Sequence, residues 1–265
     1  MPFAPAPYTL GRVNARGLLT LLRYETARWL RSPFGYVIAP VLNTLMLFTV
    51  FRLALPVDIA GIGGVPITGF VVPGLVMMAV LHAAFETTAW SIIDLKIRGT
   101  IVDLLMPPLV TAELLVAFAL NGAARGLLVG ALVLGAMAPF AELGPIDVPA
   151  ALGFAGGGAL ALALAGIVVG IEARKFDHVA TVDNFAVVPL AFLAGTFYAI
   201  DDLAEPWHTL SAANPLAHMV TGLRASMITA RSDDPLLGVA GVAAAVVVLG
   251  LAAWHRLAYS AKLRP

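Results

Sequence analysis

The sequence predicts an all-α, polytopic membrane protein. Of its 265 residues, 60% are hydrophobic and only 12% are charged, and its mean hydropathy is +0.92. A water-soluble domain of this length has a far more polar surface. Six stretches are apolar over the roughly 20 residues that a helix needs to cross the hydrocarbon core. Proline, glycine and acidic residues separate these stretches and end the helices.

The six predicted transmembrane helices occupy residues 36–55, 67–90, 109–137, 148–171, 183–200 and 236–254. Lysine and arginine gather before the first span, after the second, after the fourth and after the sixth, whereas the other connections are acidic and hold only Arg224 and Arg231. Because basic residues concentrate on the cytoplasmic side, both termini are expected in the cytoplasm. The predicted organisation is an N-terminal interfacial helix in 1–35, a transmembrane domain in 36–255 and a cytoplasmic tail in 256–265.

Several chemistries are disfavoured. The chain has no cysteine, which excludes disulfides, thiolate metal sites and cysteine catalysis. It has no phosphate-binding G-x-x-x-x-G-K-[ST] loop, no G-x-S-x-G and no H-E-x-x-H. Its zero net charge implies no nucleic-acid partner. The histidines lack metal-ligand spacing and are interpreted as packing or interfacial residues: His82, His178, His208, His218 and His255.

The connection between the second and third spans carries an amphipathic pattern. Residues 91–106 read S-I-I-D-L-K-I-R-G-T-I-V-D-L-L-M, with isoleucine and leucine at helical spacing and charged residues between them. We expect a short helix, broken near Gly99, that ends before Pro107. From the pattern alone, its apolar stripe can dock into a groove of a partner protein or lie at the lipid headgroups.

Arg125 lies within the third span, beside Gly122, Gly126 and Gly130, which would let a neighbouring helix approach closely. A charged residue at this depth costs a few kcal/mol and should face protein or water. Glu86 is the expected counter-charge, and Asn121 can share the hydrogen bonds of Arg125. The group is interpreted as a polar clamp between helices or as a contact for a transported substrate.

The segment 200–230 is too polar to span and too apolar for a free loop. We expect it to enter the outer membrane surface as short re-entrant helices that begin at Pro206 and at the Asn214–Pro215 pair. Phe197, Tyr198 and Trp207 are candidates for the outer mouth of a pathway, although an interfacial aromatic belt explains them equally well.

Four stretches, in this order around the hydrophobic segments, carry a family resemblance. They are F-V-V-P-G-L-V-M-M from Phe70, R-G-T-I-V-D-L-L-M-P-P from Arg98, A-R-G-L-L-V-G from Ala124, and the F-Y pair at 197–198 followed by N-P-L-A-H at 214–218. With them the chain resembles the ABC type-2 permease family, in the branch of short permeases related to nodulation-factor and polysaccharide exporters. The family usually has proline after the F-Y pair, where this chain has Ala199.

The resemblance implies a permease of the bacterial inner membrane that acts as a homodimer, with each copy docked on a separate ABC ATPase subunit. The ATPase would bind ATP and Mg²⁺, and this chain would bind no cofactor and would not be an enzyme. Residues 91–106 would be the coupling helix that holds the ATPase. The residues expected to contact it are Asp94, Lys96, Ile97, Arg98, Gly99, Thr100, Ile101, Leu104 and Leu105.

The implied substrate is amphipathic, lipid-linked or a saccharide conjugate, and it moves outward. A competing hypothesis is an ATP-independent channel or a proton-coupled carrier in which Glu86 and Arg125 form the coupling pair. An intramembrane enzyme is a third possibility, but the sequence shows no pairing of a nucleophile with a base.

Overall fold

The computed structural model describes residues 14–54, 65–101, 109–141, 143–228 and 235–259. The regular structure of these ranges is helical, as the sequence predicts. The helices are α1 (Ala15–Leu30), α2 (Ala39–Ala54), α3 (Ile67–Ile97), α4 (Thr111–Met137), α5 (Val148–Glu172), α6 (Phe176–Val182), α7 (Val188–Phe192), α8 (Trp207–Ala212), α9 (Pro215–Met227) and α10 (Pro235–Tyr259).

Helix starts follow from local chemistry. The Asn14 side chain accepts a hydrogen bond from the Gly17 amide at 3.0 Å and begins α1. Asn214 does the same for the Leu216 amide, and Pro215 supplies a backbone angle suited to the first turn of α9. Helix α8 begins directly after Pro206, so helices start at both predicted positions, Pro206 and Asn214.

Helix α3 is the centre of the fold. It packs on α4, α5 and α9, and most of its residues are buried. A Cβ atom added at Gly126 would lie 2.7 Å from the Val80 carbonyl oxygen, so α4 approaches the α3 backbone at the predicted glycine stripe. By contrast, α2 and α10 expose large apolar side chains such as Met46 and Leu251 at the periphery, as expected for helices in contact with lipid.

Two wide π-helical turns each precede a proline. Phe34–Ile38 leads into α2 just before Pro40, and Asp183–Val187 joins α6 to α7 just before Pro189. Proline has no amide hydrogen, so the carbonyl four residues earlier loses its usual partner. The wider turns accommodate this defect in both places.

The predicted fifth span differs most from the structure. Helical residues begin at Phe176, before the predicted start at Asp183, and continue through three pieces of 7, 5 and 5 residues to Phe192. The chain then turns at Gly195, where φ is +76°.

In the described residues, five helices are long and apolar enough to cross a membrane: Phe34–Leu53, Ile67–Ile97, Thr111–Phe140, Val148–Glu172 and Gly238–Tyr259.

The predicted separate helix at 91–106 also differs. Residues 91–97 form the last turns of α3, because no proline or glycine lies between Trp90 and Arg98. Ser91 and Ile93 are fully buried in the fold. The break expected near Gly99 is present, as a turn with φ of +73°. Ile101 is helical, and residues 102–108, with Leu104 and Leu105, lie outside the described residues.

Candidate functional site

Arg125 of α4 is the most buried charge of the intramembrane region, with 2% of its side chain exposed. Its Nε donates to the Tyr36 carbonyl at 2.8 Å, and Nη1 donates to Thr87 Oγ1 at 3.0 Å and to the Ala83 carbonyl at 3.4 Å. Its Nη2 lies 3.3 Å from Glu86 Oε2, the predicted counter-charge. The guanidinium therefore connects α3, α4 and the π-helical turn before α2.

The acceptor at Tyr36 follows from the sequence of the first span. In a regular helix the Tyr36 carbonyl would pair with the amide of residue 40, which is proline. Arg125 supplies a donor to this carbonyl, and its charge centre lies 5.0 Å from the Tyr36 ring centroid. A backbone defect and a buried cation thus satisfy each other within the membrane-spanning part of the fold.

Asn121 does not share the hydrogen bonds of Arg125, contrary to the expectation from the sequence. Its side-chain oxygen accepts from Trp29 Nε1 at 3.0 Å and from Thr26 Oγ1 at 3.2 Å. Both donors belong to α1, which packs on α4. Asn121 faces α1 because it lies about one helical turn before Arg125, where the interfacial helix crosses α4.

A buried carboxylate fixes α1 to the end of α3. Glu25 is fully buried and accepts a hydrogen bond from Ser91 Oγ at 2.8 Å. It also pairs with Arg28 at 2.9 Å. Burial raises the pKa of Glu25 above its usual value, and the charge of Arg28 opposes that rise. The interfacial helix is therefore joined to α3 by specific polar contacts and not only by apolar packing.

A cavity of about 450 Å³ opens between α1, the turn before α2, α3 and α6. It contains three guanidinium groups, those of Arg28, Arg98 and Arg125, and two carboxylates. Its apolar wall is aromatic and includes Trp90 stacked on Phe176 at 5.7 Å. Cations beside aromatic rings suit an amphipathic ligand that has an anionic group.

The end of α3 presents an exposed tip. Ile97, Arg98, Gly99 and Thr100 are exposed, while Ile101 is half-buried. Arg98 Nε bonds Asp94 Oδ1 at 2.7 Å on the exposed side. We name residues 97–101 the α3 tip.

Lys96 points away from the α3 tip. Its Nζ donates to the carbonyls of Gly170, Ile171 and Ala173 at the end of α5. A cation at the C-terminal end of a helix is favourable because the last carbonyls lack partners within the helix. Lys96 therefore anchors the α3 tip to α5, and its ammonium group is engaged inside the protein.

The predicted outer aromatic residues lie at the opposite end of the fold. Phe197 stacks on Phe51 at 4.8 Å and on Phe192 at 5.5 Å. Tyr198 has a buried hydroxyl without a hydrogen-bond partner among the described residues. Trp207 begins α8 with 55% of its surface exposed. The three residues share an end of the molecule, but the ring contacts involve Phe197 alone.

Arg224 of α9 has a role that the sequence does not reveal. It is buried and donates to the carbonyls of Phe70 at 3.2 Å and Gly195 at 2.6 Å. Its charge centre lies 3.8 Å from the Phe70 ring centroid. The predicted external connection thus contains an inward-facing cation that holds α9 to the start of α3 and to the turn at Gly195.

Comparison with known proteins identifies the family. The sequence profile described as ABC-2 type transporter matches residues 16–228. The chain belongs to the ABC-2 type transporter family. The inner membrane transport permease YadH of Escherichia coli strain K12 is 31% identical over 227 residues, which cover 84% of this chain and 87% of YadH. Nodulation protein J of Rhizobium leguminosarum bv. viciae is 24% identical over 217 residues, 79% of this chain and 82% of that protein.

The family match confirms the resemblance seen in the sequence. This ABC-2 permease is a multi-pass inner membrane protein and the membrane subunit of a transporter, which favours transport over enzymatic catalysis. The match covers α1 to α9, and so includes the cavity, the α3 tip and the Arg125 cluster.

The Arg125 contacts predict a clamp that stabilises the fold. We expect Arg125→Met to lower the free energy of unfolding by about 3–5 kcal/mol, because Glu86, the Tyr36 carbonyl and the Thr87 hydroxyl each lose the donor that Arg125 supplies. The measurement is the midpoint of thermal unfolding of the purified permease in detergent. Arg98→Gln is the control, since Arg98 is exposed. Equal midpoints for the two variants would contradict the clamp.

Proposed function

We propose that the α3 tip is the surface on which a separate ABC ATPase subunit docks. The observation that supports this is the exposure of Ile97, 48% of its surface, beside exposed Arg98, Gly99 and Thr100. An exposed apolar side chain on a helix end that is fixed in the fold can insert into a groove of a partner protein. ATP and Mg²⁺ bind to that partner, and this chain binds neither.

Helix α3 suits the transmission of movement. It is a continuous helix of 31 residues that connects the tip to the cavity and to the far end of the fold. Lys96 joins its end to α5, and Ser91 joins it to α1 through Glu25. When the ATPase displaces the tip, α1, α3 and α5 move together, and the cavity between α1 and α3 changes shape.

We place the α3 tip and both termini in the cytoplasm. Arg31, Lys96, Arg98, Arg174 and Arg256 lie at the end of the fold that carries the tip. The opposite end carries Asp147, Asp201, Asp202 and Glu205 in the described connections, and its Arg224 is buried. This distribution follows the positive-inside rule.

We propose that the working unit is a homodimer with two ATPase copies. Phe34 and Leu53 at the two ends of the first span are 76% and 82% exposed, and Phe185 in the second π-helical turn is 81% exposed. These apolar side chains can be covered by lipid or by a second copy of the chain. If the transport pathway lies between two copies, the dimer supplies the symmetry of the transporter, and each chain needs no internal repeat.

We further propose that the cavity receives the polar part of an amphipathic substrate, such as a lipid-linked molecule or a saccharide conjugate, from the cytoplasmic leaflet. Its guanidinium groups suit a phosphate or carboxylate, and Trp90 and Phe176 suit an apolar portion. Export carries this substrate toward the end where Phe197, Tyr198 and Trp207 lie.

The docking proposal predicts that Ile97→Asp and Ile101→Asp abolish co-purification of the ATPase, because each places a charge in an apolar contact. Membrane insertion is expected to be unchanged, because both positions lie at the end of α3 and beyond it. The measurement is the amount of ATPase recovered with the permease after mild solubilisation.

Leu210→Asp is the matched control for this experiment. Leu210 is 54% exposed on α8 at the opposite end of the fold, and its substitution should leave ATPase recovery at the level of the unaltered chain. Undiminished recovery with both isoleucine variants would refute the docking site.

The substrate proposal predicts that the cavity prefers anionic amphiphiles. In nanodiscs of zwitterionic lipid, dodecyl phosphate should change the tryptophan fluorescence, because Trp29 and Trp90 line the cavity. Arg98→Gln should weaken this binding by up to about fivefold, the effect of losing one exposed charge pair. Arg256→Gln is the control, since Arg256 pairs with Glu172 outside the cavity. Equal binding of neutral dodecyl maltoside would contradict the preference.

A further inference from the structure

A histidine and two carboxylates converge beside the Arg125 cluster. His82 Nε2 lies 3.0 Å from Asp183 Oδ2. Glu86 is one turn after His82 on α3 and directs its carboxylate to the same place, so that one ligand atom from each of the three residues lies within 4.8 Å of the others. His82 and Asp183 have no part in the ATPase docking or substrate binding proposed above, whereas Glu86 also lines the cavity and contacts Arg125.

Asp183 provides an independent indication of a ligand. The residue is 7% exposed, and its second oxygen, Oδ1, is buried without a hydrogen-bond partner among the described residues. A buried carboxylate oxygen without a donor is costly, and such groups are normally satisfied by a donor, a water or a cation. Its location in a π-helical turn also fits a binding role, since such turns are frequent at functional sites.

We propose that His82, Glu86 and Asp183 bind one divalent transition cation, with Zn²⁺ as the best match. Zn²⁺ takes imidazole nitrogen and carboxylate oxygen at about 2.0 Å, so that two ligand atoms of a tetrahedral site lie about 3.3 Å apart. The separation of His82 and Asp183 is close to that value. Three protein ligands leave a fourth position for water. The cation would join α3 to the turn between α6 and α7.

Arg125 does not prevent this use of Glu86. The contact between Arg125 and Glu86 is long, at 3.3 Å, whereas Arg125 keeps shorter bonds to Tyr36 and Thr87. Glu86 can therefore turn toward the cation while the Arg125 guanidinium keeps its hydrogen bonds to Tyr36 and Thr87. The positive charge nearby lowers the affinity for any cation, which favours ions that form strong bonds to imidazole over Mg²⁺ or Ca²⁺.

The site is also accessible. The side chains of His82 and Glu86 are 36% and 26% exposed, while Asp183 forms the buried side of the cluster. Glu86 also lines the cavity, which gives a cation a route to the cluster.

The test uses the full-length permease purified through a tag without histidine and stripped of metal. Zn²⁺ binding is measured by calorimetry, and Co²⁺ is used as an absorbing probe of coordination. We expect one ion per chain, with Co²⁺ bands typical of four-coordination. His82→Asn and Asp183→Asn should each weaken binding by at least about tenfold, the smallest effect expected even for loss of an outer partner of a metal site. Thermal unfolding checks that each variant is folded.

His208→Asn is the matched control, because His208 is an exposed histidine with carboxylate neighbours, Glu205 at 3.4 Å and Asp201 at 4.0 Å. It should leave the measured binding unchanged. The proposal is overturned if the unaltered chain shows no saturable Zn²⁺ binding, or if binding survives in both His82→Asn and Asp183→Asn. If one of these variants does not fold, the other and the stoichiometry of the unaltered chain decide the outcome.

Discussion

The fold depends on cationic side chains, two of them buried, that bond backbone carbonyls at irregular segments and helix ends. A polar group left without a partner in hydrocarbon costs several kcal/mol, so the chain must supply a donor for each unpaired carbonyl. Arg125 serves the carbonyl left free by Pro40, and Arg224 serves the turn at Gly195. Lys96 serves the last carbonyls of α5. Each cation ties an irregular segment or a helix end to a neighbouring helix.

These contacts make α3 the common element of the functional regions. Its last turns lead to the α3 tip, the proposed docking surface, and form one wall of the cavity. Its middle contacts Arg125, and its first turn bonds Arg224. The glycine stripe of α4 lets the two helices pack backbone to backbone, which leaves little room for independent motion. A push at Ile97 should therefore displace α3 as a unit, with α1 and α5 attached through polar contacts that must move with it.

The parts of this architecture that local chemistry determines were predictable. Because the predicted spans contain few charged residues, the sequence alone indicated Glu86 as the partner of Arg125. A proline inside an apolar segment, Pro189, indicates that the helix is disrupted at this position. The sequence does not determine whether the helix ends there or forms a wider turn. His82 and Asp183 meet across 101 residues of chain. Neither has a sequence pattern that indicates the other, so only the packing of α6 on α3 brings them together.

The central claim, that the α3 tip faces the cytoplasm, is tested most directly by labelling from one side of the membrane. The chain has no cysteine, so Thr100→Cys and Leu210→Cys each introduce a single reactive thiol at an exposed position. With a membrane-impermeant maleimide, intact spheroplasts should label Leu210→Cys but not Thr100→Cys, and opening the membrane should expose the thiol at position 100. Labelling of Thr100→Cys in intact spheroplasts would place the tip outside the cell and contradict the account.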